Sequence, residues 1–164
     1  MNADNSFSQM GADKKSAKIR VKQSAKISEK RISARTKKTM TENDISYLIR
    51  GAIFRVNTNV GPGLLESAYE MALCHELRNE GLSVQKQLGL PFEYGGEKLD
   101  IGYRMDIVVN NKVVVEVKSV ESLADVHYKQ LLTYLKLSGM KLGILVNFNS
   151  TDMKSSIKRI VNNL

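Results

Sequence analysis

One cysteine, two prolines, no tryptophan and no long apolar run characterise this 164-residue chain. A lone thiol excludes a disulfide framework and any zinc site built on several thiolates. No stretch approaches the roughly 18–20 apolar residues that a membrane-spanning helix needs. The opening residues, Met1-Asn2-Ala3-Asp4-Asn5-Ser6-Phe7, lack the apolar core of a secretion signal. Together these absences point to a reduced, aqueous compartment, and a cytoplasmic location is expected. Gly61-Pro62-Gly63 lacks the Gly and Lys that complete a phosphate-binding loop, so a nucleotide-hydrolysing motif is also missing.

Acidic residues are scarce in one place only. Residues 1–40 hold eleven Lys/Arg against Asp4, Asp13 and Glu29, which accounts for the whole net charge of +8. The remaining 14 basic and 14 acidic groups cancel, so the body is not a basic surface by composition. With one aromatic residue and no wide apolar face, residues 1–40 are expected to be a basic disordered tail. Ser16-Ala17-Lys18-Ile19 recurs in it as Ser24-Ala25-Lys26-Ile27. Spaced cations such as Lys18, Arg20, Lys26, Lys30, Arg31 and Arg35 can follow a phosphate backbone without reading base sequence. A solubilising tail explains the same composition, and a transit-type leader is a third reading that Asp4 and Asp13 count against.

A folded domain is expected over residues 41–164. Thr41 suits a helix N-cap, with Glu42 and Asp44 in the first turn. Ile45, Leu48, Ile49, Ala52, Ile53 and Val56 follow at helical spacing, and Asn57-Thr58-Asn59 and Gly61-Pro62-Gly63 are expected to break that helix. A second helix is predicted from about Leu64 to Asn79, closed by Gly81. Strands are predicted over Val84–Tyr94, around Ile101–Val109 and over Val113–Lys118, with turns at Gly95-Gly96 and Asn110-Asn111. A helix over Leu123–Leu137 closed by Gly139 and a buried strand over Leu142–Phe148 complete the pattern, and Ser156–Val161 reads equally as a strand or a helix. The fold class is mixed α/β, a mixed sheet with a central β-meander flanked by helices.

Chemistry concentrates at Asp106 and at Glu116-Val117-Lys118 on adjacent predicted strands. Two carboxylates joined by a backbone carbonyl suit Mg²⁺, a hard cation that takes oxygen ligands and keeps several waters. Lys118 shares the strand face of Glu116 and can hold a water or offset charge on a phosphate. A Glu-x-Lys pair is equally ordinary on a solvated hairpin. Hairpin parity separates the two readings. A two-residue Asn110-Asn111 turn puts Asp106 and Glu116 on opposite faces, whereas an Asn110-Asn111-Lys112 loop puts them side by side. Glu66 on the second helix borders the apolar arc and needs a partner there. Gln130 and Tyr134, four apart, share one face of the later helix. His75, His127 and Cys74 are expected to have surface or packing roles.

Gly63-x-x-Glu66-x-x-Tyr69 resembles the signature of the GxxExxY family, placed in the PD-(D/E)XK nuclease superfamily. The similarity extends to Tyr103-Arg104-Met105-Asp106, Val115-Glu116-Val117-Lys118, the Gln130 to Lys136 segment and Leu145-Val146-Asn147-Phe148, and covers roughly Ile45 to Val161. The resemblance implies a restriction-endonuclease-like core and metal-dependent phosphodiester hydrolysis, with DNA the expected partner and Mg²⁺ the expected cofactor, Mn²⁺ substituting. Asp106, Glu116 and the Val117 carbonyl would be the metal ligands, Lys118 the catalytic lysine, Glu66 the helix acid near the metal, and Gln130 the glutamine of a QxxxY element. Family members often carry a His where this chain reads Val56-Asn57, so that His has no role here. The competing reading is a non-catalytic nucleic-acid-binding or assembly module that retains the fold. Such a module has no need of the complete acid, acid and lysine set.

Overall fold

A computed structural model of the chain describes residues 40–99 and 102–164. The basic segment with Lys18, Arg20, Lys26, Lys30, Arg31 and Arg35, and the start of the predicted strand at Ile101, lie outside the described residues. Helix α1 spans Glu42–Val60. The Thr41 hydroxyl accepts the Asp44 N–H at 3.2 Å and the Thr41 N–H donates to the Asp44 carboxylate at 2.9 Å, a reciprocal capping box. Asn57-Thr58-Asn59 does not break the helix as expected. Those residue types cost only tenths of a kcal/mol each in a helix, and the buried stripe of Ile45, Ile49, Ala52, Ile53 and Val56 secures it. It stops at Gly61, whose φ of 67° lets its N–H reach the Asn57 carbonyl at 2.8 Å.

Helix α2 follows over Glu66–Asn79, and the chain then builds β1 (Val84–Gly89), β2 (Phe92–Tyr94), β3 (Glu97–Leu99), β4 (Arg104–Val109) and β5 (Val113–Lys118). The single strand expected over Val84–Tyr94 is therefore two. Pro91 has no N–H for a ladder, the Leu90 N–H turns to the Tyr103 carbonyl at 2.8 Å, and β2 pairs only with β3 as a separate hairpin about Gly95-Gly96. Helix α3 (Asp125–Ser138) leads to β6 (Leu142–Asn147), then a one-turn helix α4 (Met153–Ser156) and β7 (Ile157–Val161). The segment that reads as strand or helix thus divides at Ser156.

The main sheet runs β1-β4-β5-β6-β7. β1, β4 and β5 form an antiparallel meander, β6 joins β5 in parallel across α3, and β7 returns antiparallel. Under α1 and α2 lie Ile107, Val115, Val117, Ile144 and Val146, with Tyr69 and Leu73; under α3 lie Met105, Val108, Val114 and Leu145. The central strands β5 and β6 are covered on both faces, as their runs of Val, Ile and Leu require. Gly143 on β6 admits α3: a Cβ there would stand 2.8 Å from Leu131 Cδ1.

One rung of the sheet is irregular. Val84 packs under α1 and α2 while Leu88, four residues along the same strand, packs under α3. Met105 and Ile107, two apart, are likewise on opposite sides. Regular alternation would keep each pair on one face. Both strands change face at the rung of Gln87 and Asp106, where the pairing lapses between Lys86↔Ile107 and Leu88↔Met105. Gln87 is left-handed there, with φ 54°.

Candidate active site

The hairpin between β4 and β5 sets the site. Asn110 and Asn111 adopt φ of 51° and 54°, a conformation that asparagine tolerates better than most residues. Lys112 N–H closes the loop on the Val109 carbonyl at 3.0 Å, and Val109 pairs with Val113. The loop is therefore the odd one, which brings the Asp106 and Glu116 positions level across the hairpin.

The β4–β5 ladder ends at Ile107↔Val115, whereas β5 stays paired to β6 as far as Lys118↔Asn147. Beyond that point the Val117 N–H bonds not to a backbone carbonyl of β4 but to Asp106 Oδ2 at 2.9 Å. A strand residue's N–H and C=O leave the same edge, so the Val117 carbonyl also faces this opening. Gln87 Nε2 donates to Asp106 Oδ1 at 3.3 Å and to Glu70 Oε2 at 2.8 Å. Asp106 is thus held from both neighbouring strands.

Glu116 is 1% exposed; Lys118 Nζ donates to its Oε1 at 2.7 Å, and its Oε2 is buried without a hydrogen-bond partner among the described residues. Burial, then the charge of Asp106, push the Glu116 carboxyl up to about 7 against the hydrogen bond from Lys118. Burial also raises Asp106, opposed by the Val117 N–H and reinforced by Glu70 and Glu66. For Lys118 burial disfavours the cation, but its hydrogen bond to Glu116 and the surrounding carboxylates outweigh it, and its pKa ends above the ordinary value. Lys118 is a cation at neutral pH and can donate, not accept, a proton.

Glu66 is the first residue of α2, and its Oε1 accepts the Ser119 N–H at 3.0 Å just past β5. Ser119 Oγ donates to the Leu64 carbonyl at 2.7 Å. Tyr69, buried and stacked on Phe148 at 4.5 Å, ties the same loop: its hydroxyl accepts the Leu64 N–H at 3.0 Å and donates to the Gly61 carbonyl at 2.7 Å. Gly63 has φ 102°. The Gly-x-x-Glu-x-x-Tyr spacing thus has a physical content: a left-handed turn, a carboxylate that fastens α2 to β5, and a phenol that locks the turn.

Gln130 is not bonded to the carboxylates; its Nε2 donates to the Tyr134 hydroxyl at 2.9 Å. Burial raises the Tyr134 hydroxyl, Gln130 opposes this, and Glu116 and Asp106 add to it, so the Gln130–Tyr134 face lies within the field of the acids. His75 bonds Asn79 and His127 accepts the Ala124 N–H; neither bonds to the acids. Glu70, Gln87 and Ser119 escape sequence reasoning. Glu70 stands four residues after Glu66, one helical turn on, and that spacing is the one signal that points to it.

A divalent cation fits this opening on one observation above all, the buried unpartnered oxygen of Glu116. Among the described residues no cluster of three or more His, Cys, Asp or Glu side chains forms a cage, but Mg²⁺ is held by one or two carboxylates with water and substrate oxygens.

Mixed sheet, open rung and acid-acid-lysine set define the restriction-endonuclease-like fold class. A family model of the PD-(D/E)XK nuclease superfamily matches residues 43–160, and the chain belongs to that superfamily. Membership suggests nuclease activity, with a nucleic-acid substrate and a divalent metal. Among solved structures, one described as "Crystal structure of SSO0001" is similar at 23% identity and a TM-score of 0.46, over 83% of this chain and 76% of that one. No curated protein matches. Among the described residues no helix is long and apolar enough to cross a membrane.

Proposed function

We propose that the protein is a Mg²⁺-dependent nuclease of the GxxExxY type that hydrolyses phosphodiester bonds in DNA, with Mn²⁺ as a substitute. The observation that carries the reading is the lapse of the β4–β5 ladder at Asp106, whose carboxylate takes the Val117 N–H, beside a buried and unpartnered Glu116 oxygen that feels the charge of Asp106. In this reading Asp106, Glu116 and the Val117 carbonyl hold the cation. When bound, it supplies Lewis-acid polarisation of a phosphoryl oxygen and a water acidic enough to attack.

The chain's own residues do the rest. Lys118, fixed by Glu116 and cationic at neutral pH, donates hydrogen bonds to the negative charge that grows on the phosphoryl oxygens. Glu66 fastens α2 to Ser119 and so fixes the mouth of the site. Gln130 holds the Tyr134 hydroxyl on the α3 side, where its amide can exchange that bond for one to substrate. The basic segment at residues 1–40 adds affinity through phosphate contacts.

The test is a cleavage assay on plasmid, linear duplex and single-stranded DNA, each with Mg²⁺, Mn²⁺ or chelator, beside Asp106→Ala. Metal-dependent cutting that Asp106→Ala abolishes is the expected result. Wild-type protein that binds DNA but cuts none of the substrates with either metal supports the non-catalytic module instead. Cutting by Asp106→Ala at the wild-type rate refutes the site.

A further inference from the structure

A cavity of about 330 Å³ is lined by Gly89, Lys98, Leu99, Gly102, Tyr103 and Arg104 together with Leu90-Pro91. It lies between the β2–β3 hairpin and the ends of β1 and β4. Gly89 pairs with Arg104 two rungs from Asp106, about 7 Å along β4 at ~3.4 Å per residue. Its aromatic lining residue, Tyr103, meets Phe92 edge-on at 6.3 Å and Tyr134 at 6.2 Å, and Tyr134 carries Gln130 on its hydroxyl.

Gly89 is the last residue of β1. It lies outside the left-handed region, and an added Cβ would meet no atom within 4 Å among the described residues. A strand glycine often marks a bulge, a bend or a close approach of a ligand or another backbone, and this one lines the cavity. Lys98 and Arg104 both line the cavity, and among the described residues no lining residue carries a carboxylate. Lys98 has only a loose, exposed pairing with Glu93 at 3.7 Å, and Arg104 has no ion-pair partner among the described residues. Tyr103 is 38% exposed and offers part of its ring.

We propose that this cavity seats one nucleotide of the substrate strand, its base against Tyr103 and its phosphate at Arg104 and Lys98. The inference rests on the nuclease reading for its substrate class and adds a constraint to it. The volume is at the low end for small-ligand pockets, so the cavity takes a single unpaired nucleotide and not a base pair. The preferred substrate therefore has a single strand, or an unpaired base, one or two nucleotides from the bond that is cut. Aromatic stacking supplies sequence-tolerant affinity of this kind, and the cations supply the phosphate contact.

The full-length chain, in chelator so that nothing is cut, is titrated by fluorescence anisotropy with a labelled 20-nucleotide single strand and with the matching blunt duplex. Gly89→Val should weaken single-strand binding at least tenfold while duplex binding changes less than twofold, with the melting temperature unchanged or higher, since a branched residue suits a strand. Tyr103→Ala should give a similar loss and Tyr103→Phe should retain wild-type affinity, which separates stacking from the hydroxyl. Single-strand affinity within twofold of wild type in both Gly89→Val and Tyr103→Ala overturns the proposal. An equal loss for strand and duplex also overturns it. The Mg²⁺ cleavage assay on wild type distinguishes the two readings: cutting without this discrimination removes the nucleotide site alone, whereas the discrimination without cutting retains the nucleotide site and removes the nuclease.

Discussion

Glu116→Gln isolates the electrostatic cost of the site. In the fold the carboxyl is raised from 4.5 to about 7 by burial and by Asp106, so the folded protein binds this proton more tightly than the unfolded chain does. The stabilisation is fully present below about pH 4.5 and is lost as the pH rises through 7. At ~1.4 kcal/mol for each pH interval between the two values, the loss is about 3 kcal/mol. Glutamine has the same shape and carries no charge at any pH. The stability difference between wild type and Glu116→Gln in chelator should therefore move by about 3 kcal/mol between pH 4 and pH 8, in favour of the variant at high pH. For a folded body of this size that is roughly 10 °C in melting temperature. Circular-dichroism melts of both proteins at five pH values measure it directly. Millimolar Mg²⁺ should then raise the melting temperature of wild type at pH 8 and leave Glu116→Gln unmoved. Two curves that stay parallel from pH 4 to pH 8 would refute the reasoning, because they would show Glu116 to be no harder to ionise in the fold than outside it.

Lys118→Ala should lower turnover at least a hundredfold at pH 8 while a Mn²⁺ titration still saturates; wild-type turnover would remove Lys118 from the chemistry. Gln87→Gly relieves a left-handed φ worth about 1 kcal/mol against glycine's greater unfolded freedom, so its melting temperature should stay within a few degrees. Its cleavage rate should nonetheless drop about tenfold, because Asp106 and Glu70 lose their shared amide; an unaffected rate would show that the clamp is incidental. Gly143→Ala places a methyl against buried Leu131 and should cost ~1–3 kcal/mol, seen as a lower denaturation midpoint at unchanged denaturant dependence; an unchanged midpoint would show that α3 can shift freely. Removal of residues 1–40 takes away the whole +8 and should weaken DNA binding at low salt and flatten its salt dependence; an unaltered salt titration would leave that segment without a role in binding.

Much of this was legible from residue spacing. Alternating Val at 113, 115 and 117 and the helical stripe from Ile45 to Val56 announce their elements, because a buried face imposes its period on the sequence. Hairpin parity needed only the two asparagines that tolerate a positive φ. The β2–β3 hairpin was obscured because Phe92 to Tyr94 continues the β1 pattern with only Leu90-Pro91 between them. Gln87 and Glu70 were invisible for a deeper reason. Gln87 acts through a backbone conformation unusual for its type, and Glu70 acts by facing it across from α2. Neither relation leaves a periodic trace. The nucleotide cavity is similar: a glycine at the end of a strand says nothing until the residues that share its cavity are known.

The left-handed turn at Gln87 also bears on solubility. β1 is an outer strand of the five-stranded sheet, and such a strand offers a row of free amides and carbonyls to any other extended chain. Gln87 interrupts that row after three residues, so a sixth strand laid along β1 would find no continuous register. The opposite border, β7, has adjacent Lys158 and Arg159 at its middle, cations that natural sheets place on their borders against stacking of copies. The same distortion that aims Asp106 thus makes the sheet a poor template for aggregation. Straightening β1 to gain stability would expose a continuous border as well as blunt the site.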